Sequence, residues 1–193
     1  MTTQTDNDNL PAKLALRRHF LDRYGAASVF DACQGSGVLW KILRTEYQVE
    51  RYWGVDKKEA RGRLTIDSAR VLESPGWTFD VVDVDTYDEP WAHWFHVLEN
   101  GRADVTVFLT IGLVRMGGGQ LSGRALDQLG IPFDIPPGLK GQLSPLAVEA
   151  CLASALLHGW EVAETQEAPR GRSARYLGLR LVKPAPKHDK GKS

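Results

Sequence analysis

Cysteine is almost absent from this 193-residue chain, with only Cys33 and Cys151 present. Two such distant cysteines make no disulfide framework, and there is no C-x-x-C pair to hold a metal. Long apolar runs are absent too; none approaches the roughly 20 residues that span a bilayer. Residues 1–9 are polar and lack the basic-then-apolar order of a signal peptide. These absences predict a cytoplasmic protein with no membrane contact. No internal repeat is visible. At this length there is room for one well-buried α/β domain but not for a second, substrate-binding one.

What is present is ordinary in bulk, 42% hydrophobic and 25% charged, and uneven in detail. Lysine and arginine balance aspartate and glutamate at 24 each, yet residues 169–193 hold eight basic residues against one acid, Asp189. The C-terminal hairpin and tail therefore form a basic arm on an acidic body, suited either to nucleic acid or simply to water. Three segments are expected: a disordered start over 1–9, a domain over 10–183 and a basic flexible tail over 184–193.

Local patterns order the domain. Pro11 to Tyr24 reads as an amphipathic helix, with Leu14, Leu16, Phe20 and Leu21 near one side and Arg17, Arg18 and Arg23 largely elsewhere; Gly25 closes it. Strands are expected at 28–33, 51–55, 64–67, 79–85 and 103–110, with helices at 38–49 and 90–99. Residues 111–143 are rich in glycine and proline and too long for a simple connection; a helix is expected within 120–129. Arg115, Arg124 and Lys140 there could hold an anionic substrate. Ser144 as N-cap, Pro145 at N1 and Gly159 delimit a last helix. Strands at 160–168 and 174–183 follow as an antiparallel hairpin.

The most informative run is Val29-Phe30-Asp31-Ala32-Cys33-Gln34-Gly35-Ser36-Gly37-Val38-Leu39: a buried strand ending in an acid, a glycine turn, then a helix. Gly35 and Gly37 allow the backbone to turn sharply and to approach a ligand. A dinucleotide fingerprint would need a small residue where Trp40 stands, which argues against an NAD-linked enzyme. Asp56 ends the second strand, 21 residues after Gly35. It could accept hydrogen bonds from both ribose hydroxyls of a nucleoside, or merely cap its turn.

The glycine turn with its acid resembles the first motif of class I S-adenosylmethionine-dependent methyltransferases. The element order agrees over residues 28–183. The resemblance implies a Rossmann-like three-layer α/β sandwich, with a seven-stranded, mostly parallel sheet and an antiparallel C-terminal hairpin strand. It implies S-adenosyl-L-methionine as cofactor, bound by Asp31, Cys33, Gly35, Ser36, Gly37, Asp56, Lys57, Asp67, Ser68 and Asp83. Asp67 and Ser68 fall at the position that contacts the adenine amino group.

The second informative run is Asp83-Val84-Asp85-Thr86-Tyr87-Asp88-Glu89-Pro90. It resembles the Asp-x-Asp-Pro-Phe-Gly pattern of tRNA guanine-N2 methyltransferases, with Thr86 in place of the proline and Asp88 in place of the glycine. The resemblance implies Asp83, Asp85 and Tyr87 as catalytic residues, and a nucleobase of RNA or DNA as acceptor. Four crowded carboxylates, Asp83, Asp85, Asp88 and Glu89, can raise a pKa into the range of a general base. Asp88 and Glu89 equally suit the N-terminus of the next helix. His93 and His96 could join Asp85 around a metal, but no metal is expected; Trp91 and Trp94 have the spacing of core residues. Thr86 keeps open a methyltransferase-like binding or scaffold module without activity. Oligomeric state is left open.

Overall fold

A computed structural model describes residues 9–59, 64–86, 89–101, 103–112, 123–131, 143–168 and 174–184. The elements run α1 (Leu10–Tyr24), β1 (Ser28–Asp31), α2 (Val38–Glu46), β2 (Arg51–Asp56), β3 (Leu64–Thr65), α3 (Ser68–Glu73), β4 (Val81–Val84), α4 (Trp91–Asn100), β5 (Val105–Gly112), α5 (Gly123–Gln128), α6 (Leu143–Leu157), β6 (Glu161–Glu167) and β7 (Ala174–Val182). The sheet order is β3-β2-β1-β4-β5-β7-β6. The pairs from β3 to β5 are parallel, and β7 inserts antiparallel between β5 and β6. This is the expected α/β architecture.

Alternation along the central strands divides the core between two faces. Phe30, Val82, Val84, Val107 and Leu109 point to the face covered by α3, α4, α5 and α6, where Trp91, Trp94 and Trp160 are buried. Val29, Val81 and Phe108 point to the face covered by α1 and α2. Trp91 and Trp94 are thus core residues.

Several boundaries differ from expectation. The third strand is two residues long, and a short helix, α3, follows it where none was expected. Asp67 caps that helix, its carboxylate accepting from the Ala69 amide. The fourth strand starts at Val81; just before it, the Asp80 backbone bonds to Ser28 and Thr106, and its side chain takes the Ser28 amide and hydroxyl. The second helix stops at Glu46 rather than 49. The last begins at Leu143, which places Ser144 and Pro145 inside its first turn, where proline's missing N–H has no intrahelical role. Gly25 and Gly159 adopt positive φ just past their helices. Tyr87, Asp88, Arg115 and Lys140, most of the 111–143 stretch, residues 1–8 and nearly all of the tail lie outside the described residues.

Candidate functional site

Ligands of open α/β sheets gather at the carboxyl ends of the strands. The glycine turn stands there. Gly35 and Gly37 have φ of +54° and +69°, which L side chains rarely adopt. The Gln34 amide donates to the Val55 carbonyl, fastening the turn to β2. The Gly35 amide donates to the Asp56 carboxylate at 2.9 Å, and the Lys58 amide binds its other oxygen. Lys57 reaches Asp67 at 3.4 Å, linking the ends of β2 and β3 through an exposed, weak pair. Ser36 is exposed. The Cys33 thiol is pushed up by burial and then by Asp31, which disfavours the nucleophilic thiolate.

Ser68 is buried and lies 2.7 Å from Nε2 of His93. Burial, with Lys57 nearby, pushes His93 down to about 4, so its ring is neutral. Among the described residues, no group of three or more His, Cys, Asp and Glu side chains converges as a metal site.

The fourth-strand acids have partners that the sequence reading missed. Asp83 is the register neighbour of Asp31 on β1 and of Phe108 on β5, on the face beneath α1. Arg17 of α1 grips it with two bonds, Nε at 2.7 Å and Nη2 at 2.6 Å, and both side chains are 1% exposed. Trp40 Nε1 donates to the same carboxylate at 2.8 Å. Trp40 therefore fills the position that a dinucleotide fold keeps small. One turn along α1, Lys13 Nζ donates to both Asp85 oxygens at 2.9 and 2.7 Å, and lies 5.1 Å over the Tyr176 ring. Thr110 donates to Asp85 at 2.6 Å.

Two expectations are corrected here. Arg17, expected away from the apolar side of its helix, is among the most buried side chains. Nor does crowding raise Asp85. Burial alone would raise it, but Lys13 and Arg17 outweigh burial and hold it below the usual carboxylate range. The raised acid is Asp31, pushed up to about 8 by burial and then by Asp83 and Asp85, against a hydrogen bond from the Tyr52 hydroxyl. The available signal was spacing: Lys13 and Arg17 sit four apart on a helix, opposite Asp83 and Asp85, two apart at the carboxyl end of β4.

The basic arm is also less free than its composition suggests. Arg175 pairs with Glu167, Arg180 lies over Tyr24, and Lys183 lies over Trp160. A cavity of about 410 Å³, lined by Trp53, Arg70, Trp77 and Phe79 among others, opens near the amino end of β4. It is away from the carboxyl-end groups described above.

Set beside known proteins, the fold and the glycine turn define a class: the chain has the fold of the class I methyltransferases. Trm1 from Pyrococcus horikoshii, solved with S-adenosyl-L-methionine, matches with a TM-score of 0.66 at 14% identity, over 90% of this chain and 54% of its own. A protein from Streptococcus thermophilus provisionally named a hemolysin matches with 0.60 at 11%, over 93% and 68%. The 1,6-didemethyltoxoflavin-N1-methyltransferase of Burkholderia thailandensis, solved with bound 1,6-didemethyltoxoflavin and S-adenosylhomocysteine, matches with 0.53 at 16%, over 94% and 80%. At these identities the likeness is one of fold, and the chain spans about half the length of the Pyrococcus protein. No family model matches the sequence, and neither does any curated protein. Among the described residues no helix is long and apolar enough to cross a membrane.

Proposed function

We propose that this protein transfers a methyl group from S-adenosylmethionine to a nitrogen of a nucleic-acid base. The observation that carries the cofactor is the Asp56 carboxylate fixed against the Gly35 amide at the crevice between β1 and β2. The residues present fit the group. A left-handed glycine turn leaves its backbone open to close approach. A strand-end acid meets ribose hydroxyls. Gln34 Oε1, in the same turn, is buried without a hydrogen-bond partner and can accept one from a ligand. Asp56 would hold the ribose, and the 35–37 turn with Asp31 the methionine end. Asp67 and Ser68 would face the base.

The cofactor supplies an electrophilic methyl on a sulfonium. The chain's own work is positioning, which is worth several kcal/mol when reacting atoms are held in line. Asp85 would accept a hydrogen bond from the acceptor's N–H and so orient it. It is a poor proton sink, because Lys13 and Arg17 favour its ionised form. Basic residues of the 170–192 region would attract the phosphate backbone.

A second reading follows from the same ion pairs. Both fourth-strand acids are engaged by this chain's own cations, so a module that binds the cofactor without turnover is the rival. Calorimetry with S-adenosylmethionine tests the first step: the parent should bind, and Asp56→Ala should weaken binding at least tenfold with native circular dichroism. Equal affinity in both would overturn the assignment. Assay of cofactor-loaded protein on total RNA and DNA then separates enzyme from module.

A further inference from the structure

Among the described residues, the layer beneath α1 does not balance in charge. Three carboxylates stand there: Asp31 (4% exposed), Asp83 (1%) and Asp85. α1 brings two cations, Arg17 and Lys13, and each is committed by two bonds to one acid, Arg17 to Asp83 and Lys13 to Asp85. Asp31 is left with a neutral partner, the Tyr52 hydroxyl at 2.7 Å. Among the described residues, the other groups around it add no spare cation. Cys33 follows β1 and is a thiol, and Trp40 of α2 serves Asp83. Arg44 of α2 lies over the Tyr52 ring, 4.7 Å from its centre. A buried carboxylate with no counter-charge is far costlier than a buried carboxylic acid.

We propose that this layer is built to receive one further positive charge from a bound ligand beside Asp31, and that Asp31 carries a proton until that charge arrives. This rests on the cofactor reading above. S-adenosylmethionine has two cationic centres, its methionine ammonium and its sulfonium, and either can be the source. Binding then expels the Asp31 proton to solvent, and the ligand charge and the new carboxylate neutralise each other. Burial, and then repulsion from Asp83 and Asp85, pushes Asp31 up to about 8, which is why the proton is held at neutral pH.

Two measurements test this. In the ligand-free protein, carboxyl infrared or ¹³C titration should show one acid with a midpoint near 8 that disappears in Asp31→Asn; a midpoint below 5 in the parent overturns the proposal. Calorimetry near pH 7, in buffers of different ionisation heat, should then show net proton release on binding S-adenosylmethionine, the larger part of one proton per site. Affinity should fall up to tenfold per pH unit lower. Asp31→Asn should bind with no proton release. S-adenosylhomocysteine keeps the ammonium alone, and methylthioadenosine has neither cation. Release with the first identifies the ammonium; release with S-adenosylmethionine only identifies the sulfonium. Equal release with methylthioadenosine, or binding of S-adenosylmethionine without release, overturns the proposal. If none of the three binds, the cofactor reading falls and the ligand half of this proposal with it. The ligand-free titration still decides where the proton is.

Discussion

Arg17→Met should be among the most damaging single substitutions outside the apolar core. The methionine keeps most of the stem's volume but removes the guanidinium, leaving the 1%-exposed Asp83 carboxylate with Trp40 Nε1 as its remaining direct partner in this set. Removing one member of a buried pair costs about 3–5 kcal/mol, because the other charge stays desolvated. The guanidinium also lies 4.8 Å from the centre of the Phe108 ring, a contact worth about 0.5–2 kcal/mol, part of which methionine restores. Against a typical total of about 5–15 kcal/mol, the loss is a large fraction of stability. It corresponds to roughly 6–20 °C in melting temperature at this size. Urea titration followed by tryptophan fluorescence reads it as a lower midpoint with an unchanged slope. The decisive comparison is the double variant Arg17→Met/Asp83→Asn. Asparagine keeps an acceptor oxygen for Trp40 but carries no charge, so at least half of the loss should return. If the single variant costs less than about 1 kcal/mol, or the double loses the sum of the two singles, the pair is not the buried, coupled unit described here.

Three further outcomes are expected. Asp85→Asn should cut turnover of cofactor-saturated protein on a nucleic-acid acceptor about 10–100-fold, as loss of an orienting hydrogen bond would; an acidic limb in the parent's pH–rate profile that vanishes in the variant would instead make Asp85 the base. Stability should fall with rising pH between about 6.5 and 8. There the folded state holds a proton on Asp31 that the unfolded chain has lost, a slope of up to about 1.4 kcal/mol per unit. Between about 4 and 6.5 the neutral His93 contributes an opposite slope, so the curve should be flat. Urea midpoints across pH check both windows, and Asp31→Asn should remove the decline. Deleting residues 184–193 removes Lys187, Lys190 and Lys192. It should lower the salt slope of nucleic-acid binding by about 2–3, and an unchanged slope would take the tail out of the interface.

The architecture was legible because its signals are local. β1, β4 and β5 are runs of buried, largely β-branched or aromatic residues, and the final strands are separated by a short Gly/Arg turn. Read in order, these leave little choice of topology. What was lost is equally physical. α3 has six residues, too few for a helical period to register, and its start is marked only by Asp67, which reads equally as an acid at a strand end. The Val81 boundary was hidden because Phe79, though apolar, belongs to an aromatic stack with Phe30 and Trp77 rather than to the ladder.

The candidate site was half legible, and the missing half has a geometric reason. Asp31, Asp56, Asp83 and Asp85 could be found because each lies in or just after the carboxyl-end half of a predicted strand. Their partners could not, because the ion pairs join residues 66 and 72 positions apart, and charge on a helix reads by default as solvent-facing. Yet the match is one of lengths. Four residues of α-helix rise about 6 Å, and two residues of strand rise about 6.6 Å. A Lys-x-x-x-Arg helix laid antiparallel along an Asp-x-Asp strand therefore brings both cations over both acids in register. Lys13 meets Asp85 and Arg17 meets Asp83, in that reversed order. The consequence reaches the chemistry: α1 supplies the counter-charges for the acids at the carboxyl end of β4. It neutralises Asp83 and Asp85 and leaves Asp31 as the one whose charge a ligand can control.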